Sequence, residues 1–223
     1  MIGFYNYTVW LTYASLVSGV TGITLCFVKP DKPLLAIICL LISGFCDLFD
    51  GKVARTKKNR TSSEKSFGIQ IDSLVDLVCF GVLPAVIMIR IGLNALDVSS
   101  LVWFIPIAVM FVLFGMIRLA YFNVLEIERQ ATEEALTNSF FWGVPITASA
   151  IVMPLVFFIA NALFKNELIS GVTNFIIYTV MLFILGVAFV LKIKVPKFKK
   201  KGAIVLVTIG LALVIAIILL EIL

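Results

Sequence analysis

The 223-residue sequence contains no histidine, and only 14% of its residues are charged. The first absence removes imidazole both as a general base and as a metal ligand, leaving carboxylates for either role. The second sets the chain far from soluble domains, in which about a quarter of residues are charged. Long polar stretches are also missing, so the chain reads as one integral membrane domain with short loops and no soluble partner domain. Cysteine is scarce. Cys26, Cys39, Cys46 and Cys79 all fall in apolar segments without paired-thiol or zinc spacing, which suits small packing side chains. The opening MIGFYNYTVW lacks the basic region and cleavage site of a signal peptide, so the first apolar segment is expected to be retained.

What is abundant is apolar: 61% of residues are hydrophobic. Runs of about 20 such residues, the length of a bilayer-spanning helix, occur near 8–28, 33–50, 71–93, 98–122, 141–163, 171–191 and 203–221. The expected fold class is an all-α integral membrane protein. In the first run, Ala14, Ser18 and Gly22 repeat at four-residue spacing and suggest a close helix contact. Pro84 and Pro145 fall inside predicted spans and are expected to be packed kinks. The acidic stretch 124–138 is read as a solvated connection.

Positive charge is unevenly placed. Lys52, Arg55, Lys57, Lys58, Arg60 and Lys65 crowd the loop after the second span. Lys192, Lys194, Lys197, Lys199, Lys200 and Lys201 follow the sixth, and Arg129 lies between the fourth and fifth. The opposite connections carry Lys29, Lys32, Arg90 and Lys165, so leaving Arg118 aside the ratio is thirteen to four. The positive-inside rule places the crowded side in the cytoplasm of a cell membrane. The basic tail is read as a topology determinant that also attracts anionic lipid.

Against this background Asp47, Asp50, Asp72 and Asp76 stand out, because a carboxylate inside a membrane span is costly without a compensating charge. The segment reads Asp47-x2-Asp50-Gly51-x2-Ala54-Arg55, then twelve residues, then Gly68-x3-Asp72-x3-Asp76. Helical spacing puts Asp47, Asp50 and Ala54 on one face, and Gly68, Asp72 and Asp76 on one stripe of the next helix. Antiparallel neighbours would bring all four carboxylates to one membrane face. Oxygen-only donors suit a hard divalent cation, and a metal pair about 3.5–4 Å apart would fit between the stripes. Gly51, Ala54 and Gly68 leave room for a bulky ligand, while Arg55 offers a planar fork for phosphate oxygens. Together these residues point to a metal-bridged pyrophosphate site at the membrane interface.

This segment resembles the signature of the CDP-alcohol phosphotransferase family of integral membrane enzymes. The Arg55–Gly68 gap of twelve residues is longer than the family's commonest spacing. FGIQIDSLVDLVCFGVLPA, RLAYFNV at 118–124 and FWGVPITASA at 141–150 resemble the branch that uses CDP-diacylglycerol as donor and L-serine as acceptor. The resemblance implies a six-helix membrane domain over residues 1–201, with the seventh span at 202–223 as an addition, and a homodimer. It implies Asp47, Asp50 and Asp72 as ligands of Mg2+ or Mn2+, two ions in all. It also implies Asp76 as general base, touching metal as well. Asp47, Asp50, Gly51, Ala54, Arg55, Gly68 and Asp72 would bind CDP-diacylglycerol. Arg118 and Asn123 are candidates for the serine carboxylate, against the plainer reading that Arg118 snorkels to the headgroups. Ser73, one residue off the Asp72–Asp76 face, is expected to pack or bond locally rather than attack, so transfer is direct.

Two other readings remain open at this stage. Glycerol 3-phosphate or inositol phosphate could replace serine, although either would favour several basic residues around the pocket. A cation-coupled transporter would also carry intramembrane carboxylates, but nearer the midplane and on paired interrupted helices.

Overall fold

The computed structural model describes residues 3–57, 59–132 and 140–196. Among the described residues, six helices are long and apolar enough to cross a membrane: α1 (Tyr7–Val28), α2 (Pro33–Ala54), α3 (Ser62–Ala95), α4 (Val98–Glu128), α5 (Ile146–Lys165) and α6 (Gly171–Val190). Every membrane-spanning element among them is therefore a helix, as expected. The proposed seventh span at 203–221 and most of the terminal basic cluster lie outside them.

The helix α1 packs closely against α2 and α3, and its buried line differs in part from the four-residue stripe. Thr8, Thr12, Ser15, Gly19, Gly22 and Cys26 form the buried line, whereas Ala14 is exposed. Steps of four drift around a helix of 3.6 residues per turn, while alternating fours and threes stay on one face. A Cβ at Gly19 would fall 2.5 Å from Cys79 Sγ, so only glycine admits this approach of α1 to α3. Ser43 Oγ donates to the Ser15 carbonyl at 2.9 Å, and Ser18 Oγ donates to the Cys39 carbonyl at 2.9 Å. Such hydroxyl bonds join α1 to α2 where lipid gives helices no hydrophobic reason to associate.

The helix α3 starts nine residues before its predicted span. Its first turns are polar and so escape a hydrophobicity reading, yet Thr61 and Glu64 close a capping box that fixes the start. A π-helical stretch, Leu77–Val82, interrupts it directly after Asp76. Pro84, two residues beyond, cannot donate to the Phe80 carbonyl and crowds it, and the wider turn relieves that conflict.

Three further expectations are corrected. Residues 141–145 are not helical: Phe140–Trp142 pair antiparallel with Lys194–Pro196, with Phe141 opposite Val195. Pro145 consequently precedes α5 rather than kinking it. The stretch after residue 124 is not a solvated connection from its start, because the α4 helix continues to Thr132. An amphipathic extension of an apolar helix continues its hydrogen-bond ladder more readily than it breaks it.

Candidate metal and phosphate site

The end of α2 and the first half of α3 bring the motif together. Carboxylate oxygens of Asp47, Asp50 and Asp72 lie within 4.8 Å of one another. Asp50 is only 9% exposed and accepts a 3.3 Å hydrogen bond from Thr12 Oγ1 on α1. Asp76 is not among the three clustered carboxylates, but it is equally enclosed at 9% exposure and lies within hydrogen-bonding reach of Asp47. Like charges this close, shielded from water, repel strongly unless a cation or proton sits between them. Three acceptor-only oxygens at this spacing fit a divalent ion of the hard, oxygen-seeking kind.

A cavity of about 160 Å³ opens beside this cluster. Asp50, Gly51, Ala54, Gly68 and Asp72 line it, so the small positions of the motif do leave space for a ligand. Thr8 and Thr12 of α1 and Arg60 and Lys65 of the α2–α3 region complete the wall. These four were not singled out from the sequence. The hydroxyls were legible in principle, since Thr8, Thr12 and Ser15 are the polar members of one face of an apolar span. Arg55 behaves otherwise: it is exposed, and its guanidinium nitrogens stand 3.9 Å from where a Gly51 Cβ would be.

Arg118 of α4 stacks over the Phe122 ring, 4.6 Å from its centroid. Its Nε is buried without a hydrogen-bond partner. It lines a second cavity, about 470 Å³, with Tyr121, Phe122, Phe189 and Lys192 among its walls. Arg118 is near enough to feel the Asp76 charge. Asn123 is differently occupied. Its Oδ1 accepts a 2.8 Å bond from Ser73 Oγ, and its Nδ2 donates to Gln70 Oε1 at 3.4 Å. The Ser73 bond is thus a tie between α3 and α4 rather than a local one, because Ser73 faces a neighbouring helix and not its own backbone.

Comparison with known proteins follows the same lines. The family described as CDP-alcohol phosphatidyltransferase matches residues 5–222. Among similar proteins, the CDP-diacylglycerol–serine O-phosphatidyltransferase of Helicobacter pylori is 33% identical over 167 residues, covering 74% of this chain and 60% of the relative. The Saccharomyces cerevisiae protein of that name is 35% identical over 135 residues, covering 59% of this chain and 45% of the relative. The Methanocaldococcus jannaschii one is 27% identical over 176 residues, or 79% and 71% of the two chains. The chain thus spans about 60% of the length of the Helicobacter relative.

Proposed function

The chain belongs to the CDP-alcohol phosphatidyltransferase family, and from that premise we propose that it is a phosphatidylserine synthase. It would move the phosphatidyl group of CDP-diacylglycerol to the hydroxyl of L-serine and release CMP. One observation carries the reading: two of the three clustered carboxylates, Asp50 and Asp72, border a cavity that the small residues of the motif also line. The names of the relatives agree with it.

In this reaction the serine oxygen attacks the phosphatidyl phosphorus, the P–O bond to CMP breaks, and the serine proton passes to Asp76. A serine hydroxyl is a poor nucleophile at neutral pH, so a carboxylate within reach that accepts its proton lowers the barrier. Asp47, Asp50 and Asp72 would hold one or two divalent ions, Mg2+ or Mn2+, which when bound neutralise charge on the phosphoryl oxygens and the departing CMP. Thr12 orients Asp50 through its hydrogen bond. Gly51 and Ala54 leave room for the donor headgroup, the space over Gly68 is taken by the Arg60 guanidinium, and Arg55 is exposed. Arg118, with an unused Nε beside the second cavity, is the group suited to pair with the serine carboxylate. Asn123 serves this role less well, because its amide is engaged by Ser73 and Gln70.

The second cavity also bears on the choice of acceptor. A phosphorylated acceptor brings two negative charges, and among the described residues Arg118 and Lys192 are the cations in that wall. Clustering of the aspartates at one end of α2 and α3 favours an enzyme over a transporter. The excess of basic residues on the same side supports a cytoplasmic site in a cell membrane. The homodimer implied by the family resemblance belongs to the same proposal.

The test is CMP release by purified protein in micelles containing CDP-diacylglycerol, with serine, glycerol 3-phosphate or inositol phosphate, and with Mg2+, Mn2+ or EDTA. Metal-dependent phosphatidylserine formation from serine alone is expected. Turnover with only another acceptor would reject serine and keep the donor chemistry.

A further inference from the structure

The α2–α3 connection holds the residues by which this chain exceeds the usual spacing of the motif, and it is not slack. Glu64 organises it. Its carboxylate accepts hydrogen bonds from Asn6 Nδ2 at 2.6 Å, Lys57 Nζ at 2.8 Å and the Thr61 backbone N–H at 3.0 Å. Thr61 Oγ1 in return accepts from the Glu64 N–H at 3.2 Å. Phe4 packs edge-on against Phe67, 5.4 Å between ring centroids, so the N-terminal segment braces the same turn.

Held in this way, Arg60 folds back along α3. Its Nη2 donates to the Glu64 carbonyl at 3.2 Å and lies 2.7 Å from where a Gly68 Cβ would be. The absence of a side chain at Gly68 therefore makes room for a guanidinium of this same chain. Arg60 lines the 160 Å³ cavity together with Lys65, Asp50 and Asp72. Its Nε is buried and has no hydrogen-bond partner. A buried guanidinium donor left unused is costly, and a planar fork of donors matches phosphate oxygens.

We propose that Arg60 binds the diphosphate of the cytidine nucleotide donor from within the extended connection, and that Glu64 is the positioning residue that aims it. The motif arginine, Arg55, is exposed and does not line this cavity, whereas Arg60 of the connection and Lys65 of α3 do. The inference rests on the reading of the donor as a CDP-linked lipid.

The experiment measures binding of soluble CDP by calorimetry to the full chain in micelles with Mg2+, beside steady-state kinetics for CDP-diacylglycerol and serine. Arg60→Ala is expected to weaken CDP binding and raise the donor KM about tenfold or more, because a charge-assisted bond is lost. The serine KM should stay within about twofold, since that substrate meets a separate cavity. Arg60→Lys should recover part of the affinity and keeps the test decisive if the alanine variant does not fold. Glu64→Gln retains the cap but loses the ion pair to Lys57, and should raise the donor KM less than Arg60→Ala does, with kcat near wild type. CDP binding equal to wild type in a folded Arg60→Ala protein would overturn the assignment while leaving the enzyme reading intact. Wild-type protein that binds no CDP would overturn both.

Discussion

Ser149 Oγ stands 2.9 Å from the Phe80 carbonyl oxygen, the acceptor that Pro84 cannot serve. The same hydroxyl is 2.9 Å from the Ile146 carbonyl, so one proton is shared between the start of α5 and the π-helical turn of α3. Ser149 is completely buried, and that turn begins at the residue after Asp76. Ser149→Ala should therefore cost about 1–3 kcal/mol by stranding a buried carbonyl. Thermal unfolding in detergent would register this as a lowered Tm. An unchanged Tm would mean that the π turn satisfies Phe80 without help.

Asp76→Asn removes the proton acceptor and keeps the shape. The expected result is a fall in kcat of about 10²–10⁴ with CDP binding close to wild type. Asp72→Asn acts on the three-carboxylate cluster and should weaken metal activation as well. Titrating Mg2+ for each variant separates the two roles.

Thr12 offers a finer test of the cluster. Its hydroxyl bonds Asp50, and loss of an outer partner of a metal ligand commonly weakens metal affinity about 10–100-fold. Thr12→Val is nearly isosteric and should raise the Mg2+ concentration for half-maximal activity about tenfold. An unshifted Mg2+ curve would show that Asp50 needs no such orienting bond.

Arg118 and Asn123 lie five residues apart but should behave differently. Arg118→Ala is expected to raise the serine KM about tenfold or more by removing a charge-assisted pair, and to leave the donor KM nearly unchanged. Asn123→Ala and Ser73→Ala should instead resemble one another, because each breaks the same α3–α4 bond. A rise in the serine KM in Asn123→Ala that is absent from Ser73→Ala would return Asn123 to the acceptor site.

Several features lay within reach of the sequence because they are local or periodic. Six span positions followed from run length, and the meeting of Asp47, Asp50 and Asp72 followed from two helical stripes joined by a short basic turn. The start of α5 did not, because an apolar run such as Phe140–Trp142 is equally compatible with strand and helix until its pairing partner, fifty residues later, is known. The contact line of α1 was legible in part, since Ser18 and Gly22 do meet α2 while Ala14 is exposed. Ala14 and Ser15 are both small, and only the positions of Cys79 and Ser43 decide which of them faces inward.

The sequence by itself determined the membrane class, the carboxylate motif and the helices that carry it, since hydrophobic length and helical spacing are properties of contiguous residues. Tertiary structure decided which cations line the cavity, which hydroxyl bonds Asp50 and which carbonyl Ser149 serves. Those outcomes depend on atoms from helices distant in sequence meeting at hydrogen-bond range, and a linear pattern contains no record of which distant pairs close to that distance.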